Sequence, residues 1–368
     1  MIWQLHPNYD WNELRDTFSW IQDMEGVPQN PQYHAEGDVA IHTRMVLEAL
    51  QQMPAYDAQT EQNQHLLKAT ALLHDIEKRS TTRLENGKLT SRGHARKGAK
   101  TTNALLYRMG NTPFDIRRSL VGLVRHHGLP IWAMEKPDPV KTLLSTAFEV
   151  NHRLLATFAE ADVRGRICDD QPEMLERIQF FQAFAEEQAC LEAPRHFKSA
   201  SSAFHYFQLG GDYPDYVPFE KPTSEVTVLC GLPGSGKDYY IQRYLEKDLP
   251  VISLDALRRS MKKSPTDKKA TGRIVQEAKE QARVFLRKKE NFVWNATNIT
   301  RQMREQLIAL FASYGATIHL VYIEVPYATL LKQNRNREYP IPESVLESMI
   351  DKIELPVPTE AHSVRYFT

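Results

Sequence analysis

Residues 225–238, EVTVLCGLPGSGKD, carry a short apolar run into a glycine-rich turn that ends on lysine. Val226, Val228 and Cys230 alternate with Thr227 and Leu229 up to Gly231, the pattern of a strand buried in a parallel sheet. Gly231, Gly234 and Gly236 let the backbone turn tightly enough to aim its N–H groups at one anion. Lys237 adds a mobile positive charge. The following DYYIQRYLEKDL has helical apolar spacing, so the positive end of a helix faces the same phosphates.

Strand, turn and helix in this order are the context that the G-x-x-x-x-G-K pattern requires of a P-loop. The stretch therefore predicts a site for ATP or another NTP with Mg2+, held by Gly231, Gly234, Ser235, Gly236, Lys237 and Asp238. Asp238 departs from the pattern, because Ser or Thr normally places a hydroxyl on the magnesium there. A carboxylate can hold the ion through water, but it also repels the phosphates.

Downstream, strand and helix patterns alternate: VTVLC, a helix, PVISL, a long polar helix, FVWNA, a helix, TIHLVYIEV, then terminal helices. That is the signature of a parallel sheet covered by helices. Upstream, from Trp11 to about Glu192, nearly every segment has helical spacing, broken by stretches such as GVPQNPQ and LENGKL. The clearest helices are 39–50, 65–78, 94–109, 115–127, 139–161 and 172–190. The expected fold is multidomain, an all-α bundle over 1–195 followed by an α/β domain over 223–368. Residues 196–222, rich in Pro, Gly and aromatics, read as a connection that packs on something rather than a free tether.

At 368 residues the chain has room for two separate cores. Its formal net charge is zero, so a polyanionic partner must be held by a local patch and not by the overall field. Cys168, Cys190 and Cys230 form no C-x-x-C pair, which favours a reducing compartment and argues against thiolate metal sites. MIWQLHPNYD has no basic start followed by an apolar core, and no apolar run approaches the ~18 residues of a membrane span. A soluble, cytoplasmic protein with no membrane partner is the expectation.

His42, the pair His74–Asp75, His94, the pair His126–His127 and Asp162 each lie on or at the end of a predicted helix. Imidazole and carboxylate ligands from several helices of one bundle can converge on divalent cations, with Asp75 bridging two of them. A metal pair of that kind hydrolyses phosphoesters. Lys78, three residues after Asp75, projects from nearly the same face and could neutralise a substrate phosphate. A single helix histidine is ordinarily a core or surface residue, and His65, His152 and His196 read that way.

The combination IHTRMV, LLHDIEK, RGHARKGA, LVRHHG and EADVRGR resembles the HD phosphohydrolase superfamily over roughly residues 25–170. The resemblance implies one or two divalent transition-metal ions. His42, His74, Asp75 and Asp162 would be ligands of one, and Asp75, His94 and either His126 or His127 ligands of a second. PQYHAEGDVAIH also resembles the entry to HD domains attached to tRNA-processing enzymes, where His34 and Glu36 stand behind the ligands or are simply loop.

VISLDALRRSM puts Asp255 just after the second strand, at a carboxyl edge where such sheets bind ligands, with Arg258 one turn later. Asp255 could accept the proton of an attacking hydroxyl or serve as a helix N-cap. The D-x-x-R spacing after a P-loop resembles polynucleotide 5′-hydroxyl kinases, which implies Asp255 as general base and Arg258 as the grip on a phosphate of the acceptor strand. Arg258, Arg259, Lys262, Lys263, Lys268, Lys269 and Arg273 face one acid, Asp267, an excess that favours an anionic partner. Asn295 and Asn298 in FVWNATN resemble the D-A-T-N turn of P-loop kinases with Asn for the first Asp. LLKQNRNR offers Arg335 and Arg337 as lid arginines over the phosphates, and YPIPESVLESMIDKIELP resembles the closing helices of that kinase family.

The order of the two resemblances is that of the bacterial HD-Pnk end-healing enzymes. It implies a kinase that phosphorylates 5′-hydroxyl ends of RNA or DNA, a hydrolase that removes 2′,3′-cyclic, 2′- or 3′-terminal phosphates, and a functional link to a nucleic-acid ligase. Two other readings are an HD nucleotide phosphohydrolase fused to a small-metabolite kinase, and a nucleotide-sensing P-loop module. The basic run after Asp255 speaks against a small substrate.

Overall fold

Short polar side chains start the helices that matter for the first site. Asp38 caps Val39–Leu50 by accepting from the Ile41 amide at 2.8 Å, Thr60 caps Glu61–Leu73, and Asn151 caps His152–Arg164. His94–Met109 runs between two left-handed glycines, Gly93 and Gly110. These helices, with Phe114–His126, bury Val46, Leu47, Leu67, Leu72, Leu123, Leu155 and Phe158 in one core. Each such side chain contributes about 1.5–3 kcal/mol relative to exposure, so packing rather than helix propensity holds the bundle.

The computed structural model describes residues 2–219, 223–262 and 268–368, and the chain divides into two compact units, Met1–His196 and Phe197–Thr368. In the first unit three expected elements differ. The helix expected over 65–78 stops at Leu73, with His74 as its C-cap, and a new turn of helix starts at Lys78. The helix expected over 139–161 breaks before Asn151, whose side chain bonds the Leu154 amide and starts a second helix. LENGKL is a hairpin, β1 (Arg83–Glu85) with β2 (Lys88–Thr90), because Asn86 and Gly87 both take positive φ, 51° and 76°.

Close helix approach in this unit depends on Gly165. A Cβ there would lie 2.7 Å from the Val46 backbone nitrogen, so only glycine lets the end of His152–Arg164 press on Val39–Leu50. That contact brings Asp162 beside His42.

The second unit holds β3 (Glu225–Cys230), β4 (Val251–Ser253), β5 (Phe292–Asn295), β6 (Thr317–Ile323) and β7 (Ser363–Phe367) in the order β4-β5-β3-β6-β7, all parallel. The glycine loop therefore leaves the central strand at the carboxyl edge of the sheet. The helices Tyr327–Arg335 and Glu343–Ile350 follow β6 as expected, but the segment after them returns as an edge strand whose Leu320↔Val364 register extends the sheet. Residues 196–222 include the helix Ala200–Gln208, which belongs to the second unit: Phe204 stacks on His362 at 3.9 Å and Gln208 donates to the Thr359 carbonyl at 2.8 Å. Among the described residues no helix is long and apolar enough to cross a membrane.

Candidate metal centre and candidate nucleotide site

Five helix ends or faces of the first unit bring six of the expected ligands together. His42 Nε2 lies 3.1 Å from Asp162 Oδ1 and 3.8 Å from Asp75 Oδ2, and His74 Nε2 lies 3.2 Å from Asp75 Oδ2. On the other side of Asp75, His94 Nε2 is 3.4 Å from Oδ1 and 3.2 Å from His127 Nε2. The atoms form two groups, His42–His74–Asp162 and Asp75–His94–His127, each within a 4.8 Å span.

The donor chemistry fits divalent cations. His74, His94 and His127 each place Nδ1 2.8–2.9 Å from a backbone carbonyl three residues earlier. A carbonyl only accepts, so each Nδ1 carries the proton and each Nε2 presents a lone pair toward the carboxylates. His74 Nε2 and Asp75 Oδ1 are buried without a hydrogen bond, and Asp75 Oδ2 meets only the Lys78 ammonium among charge-bearing donors, at 2.7 Å. Lone pairs gathered around carboxylate oxygens repel one another until a cation lies among them. Burial pushes the His94 imidazole down and that of His127 down to about 3, so both stand neutral, as ligands must. Burial alone would raise the Asp75 and Asp162 carboxyls, but the Lys78 ammonium beside Asp75 and the Arg166 guanidinium beside Asp162 hold both well below the usual range.

Of the paired histidines, His127 faces the group and His126 does not. His126 Nε2 is turned to Glu149 Oε2 at 3.1 Å, because neighbouring helix positions project about 100° apart. His126 is thus removed from the candidate ligand set. Lys78 Nζ lies 2.7 Å from Asp75 Oδ2 and 2.7 Å from Gln29 Oε1. His34 and Glu36 form a chain behind His42: Glu36 Oε1 lies 2.8 Å from His34 Nδ1 and 2.9 Å from His42 Nδ1, and Oε2 accepts from the Ile167 amide. Arg166, absent from the expected set, lies 2.5 Å from Asp162 Oδ2 and fixes that carboxylate. Arg166 lies two residues past the end of the helix His152–Arg164, so helical spacing from Asp162 gave no signal for it. His152 is a core residue, bonded to Thr146 Oγ1 at 2.9 Å.

In the second unit Gly231, Gly234 and Gly236 take φ of 152°, 82° and 97°. A Cβ on Gly231 would meet the Ile323 carbonyl at 2.3 Å, whereas at Gly236 it would meet nothing within 4 Å, the open side on which an anion fits. Lys237 opens the helix Lys237–Tyr244, and its Nζ spans the loop to the Gly231 and Leu232 carbonyls at 3.0 and 2.8 Å. Burial pushes its ammonium down to about 8 against the pull of Asp255 and Asp238. Ser235 Oγ is buried without a hydrogen bond. Asn298 Nδ2 donates to the Leu229 carbonyl at 2.7 Å, which ties the turn after β5 to the loop strand.

Asp255 is the second residue of the helix Leu254–Ser260; the N-cap role falls to Ser253, which accepts from the Ala256 amide. Its Oδ2 lies 3.6 Å from Arg337 Nη2. Arg258 donates to Thr271 Oγ1 at 3.3 Å, and Arg335 Nη2 lies 3.5 Å from Glu343 Oε2, away from Asp255's partner. Of the basic run, Arg258, Arg259, Lys262 and Arg273 are described, Lys263 and Asp267 lie outside the described residues, and so do the side chains of Lys268 and Lys269. Asp238, the unusual residue of the loop, accepts from Asn295 Nδ2 at 2.7 Å.

Comparison with known proteins agrees with this division. A family model for the HD domain matches residues 39–153, and one for an AAA domain matches residues 226–356. The chain is 34% identical over 171 residues to a multifunctional CCA protein of Thioalkalivibrio sulfidiphilus, covering 44% of this chain and 39% of that protein. It is 32% identical over 163 residues to the multifunctional CCA protein of Methylococcus capsulatus, covering 43% and 36%. The chain thus spans less than two fifths of the length of the curated relatives it matches. Helical bundle and parallel sheet, read with the two matches, make this chain an HD domain joined to a P-loop domain of the AAA, kinase-like type.

Proposed function

We propose that the chain heals nucleic-acid ends: a 5′-hydroxyl polynucleotide kinase in the P-loop unit and a 2′,3′-phosphoesterase in the HD unit. The observation that carries the kinase half is the Asp255–Arg337 pair at 3.6 Å, with Asp255 close enough to Lys237 to pull its ammonium upward. A general base, a phosphate-binding lysine and an arginine for the transferring group then share one sheet edge. Lys237 binds the NTP phosphates, Asp255 takes the proton of the 5′-hydroxyl, and Arg258 positions the acceptor strand. Arg337 stabilises the transferring phosphoryl group, and Arg335, two residues earlier and beside Glu343, is the second arginine of the segment.

In the HD unit His42, His74 and Asp162 would hold one cation and His94 and His127 a second, with Asp75 between the two groups. When bound, such ions lower the pKa of water and polarise a phosphoryl oxygen. Arg166 and Glu36 keep Asp162 and His42 oriented, and Lys78 offsets charge on the substrate phosphate. A nucleic-acid substrate accords with relatives named as multifunctional CCA proteins. The products, a 5′-phosphate and a free 3′-hydroxyl, are the ends that a ligase joins, which makes a ligase the expected functional partner.

The test is transfer of label from γ-labelled ATP to a 5′-hydroxyl oligonucleotide, alongside release of phosphate from a 2′,3′-cyclic end. Asp255→Ala should abolish transfer and leave release intact; Asp75→Asn should do the reverse. Binding of ATP by the wild-type protein with no transfer to RNA or DNA would sink the kinase half.

A further inference from the structure

In P-loop sites magnesium is held from two directions, by a hydroxyl directly after the loop lysine and by a carboxylate at the end of a neighbouring strand. This chain departs from that arrangement at both places. Asp238 follows Lys237, and Asn295 ends β5, whose register sets Asn295 opposite Leu229 of the loop strand. The two departures touch: Asn295 Nδ2 donates to Asp238 Oδ1 at 2.7 Å. The pair still carries one negative charge, now on the helix rather than on the strand. Asp at both places would set two carboxylates at hydrogen-bonding distance, where they cannot both ionise. Asn295 is buried, and its amide can only donate through nitrogen, so it engages one Asp238 oxygen, Oδ1, and makes no claim on the other.

We propose that Asp238 is the magnesium carboxylate of the nucleotide site, with Asn295 as the positioning residue that aligns it: the carboxylate has moved from the strand end to the position after the loop lysine, and an amide stands where it usually is. The assignment rests on the P-loop unit binding a nucleoside triphosphate, but not on what accepts the phosphoryl group. An NTP carries its magnesium between the β- and γ-phosphates, and a carboxylate rooted one residue after Lys237 reaches that ion from the loop side. The repulsion between Asp238 and the phosphates is then screened by the cation it holds. Nucleotide affinity at this site should depend on magnesium more steeply than a hydroxyl would make it.

The experiment is a titration of the full chain with a fluorescent, non-hydrolysable ATP analogue, with and without Mg2+, using Lys237→Ala to define binding elsewhere on the chain. The wild-type protein should gain affinity with Mg2+. Asp238→Ser should lose most of that gain, at least about tenfold, the scale of a lost metal-site group. Asn295→Asp should lose affinity through like-charge repulsion. The double variant Asp238→Ser/Asn295→Asp, which restores the usual arrangement, should recover the Mg2+ gain to within about threefold of wild type. Retention of the gain in Asp238→Ser, or a double variant no better than Asp238→Ser, would overturn the assignment alone. Binding to wild type that Lys237→Ala removes but Mg2+ does not strengthen would overturn the assignment alone, and the absence of any Lys237-dependent binding would overturn the nucleotide-site reading beneath it as well.

Discussion

The Nε2 atoms of His94 and His127 face each other at 3.2 Å, while the Nδ1 of each ring is committed to a backbone carbonyl. Two imidazole lone pairs at that separation are held apart from any proton donor, so a cation between them relieves a repulsion that the fold imposes. Transition-metal ions should therefore stabilise the first unit, by about 2.7 kcal/mol at a hundredfold excess over Kd. Calorimetry before and after chelation checks this. His127→Ala should lose the ion of the Asp75–His94–His127 group and the part of the shift that ion gives, and His126→Ala should keep both.

His152 gives a pH signature separate from the metal. Burial holds its imidazole at about 4, between Thr146 and Cys190. The unfolded chain, with a histidine pKa near 6.5, takes up a proton that the folded chain refuses. Stability thus falls as pH drops through 6.5 toward 4, by about 2 kcal/mol between pH 7.5 and 5 from this residue. Urea unfolding of metal-free protein should show the deficit of His152→Gln at pH 7.5 shrinking by that amount at pH 5.

Arg304 and Glu360 form a fully buried bidentate pair, at 2.6 and 2.9 Å, and Arg304 also donates to the Asn298 and Glu354 carbonyls. Removing one partner strands the other charge. Glu360→Ala should destabilise the second unit by about 3–5 kcal/mol, and Arg304→Met/Glu360→Leu by clearly less. Chemical denaturation of the two variants decides it.

The loop glycines should separate stability from binding. Gly231→Ala forces a Cβ to 2.3 Å from the Ile323 carbonyl, so β3 and β6 must part, and unfolding should come several degrees lower. Gly236→Ala meets no atom within 4 Å and strains only its φ of 97°, about 1–3 kcal/mol. It should melt nearer wild type while losing nucleotide affinity, because its methyl enters the space for the phosphates.

The contiguous features were the legible ones. The loop reads directly because its glycines, lysine and flanking strand are neighbours in the text, and the HD ligands read through resemblance because their local contexts are short and distinctive. What failed depends on angle or on distant partners. His126 and His127 differ by one position, and only the packing of Phe114–His126 decides which ring faces Asp75. Arg166 owes its role to Asp162, while Glu36, which the sequence left between a place behind the ligands and a plain loop, takes the first through His42 and the Ile167 amide. The hairpin at LENGKL did carry its signal, an Asn-Gly pair, but its strands are only three residues each. β7 gains its identity from β6, far earlier in the chain, and its own short alternation was too weak to compete with the helices before it.

That last strand sets the timetable of birth for the nucleotide site. A growing chain emits the glycine loop early, yet β7 and the glutamate that answers Arg304 both follow residue 359. Until they emerge from the ribosome, Val321 and its neighbours lack their edge cover and a buried guanidinium lacks its counter-ion. The HD bundle, a compact unit whose own residues end at His196, has no such wait. Nascent chains halted before residue 359 should therefore carry a folded bundle ahead of a chaperone-dependent, protease-sensitive half-sheet.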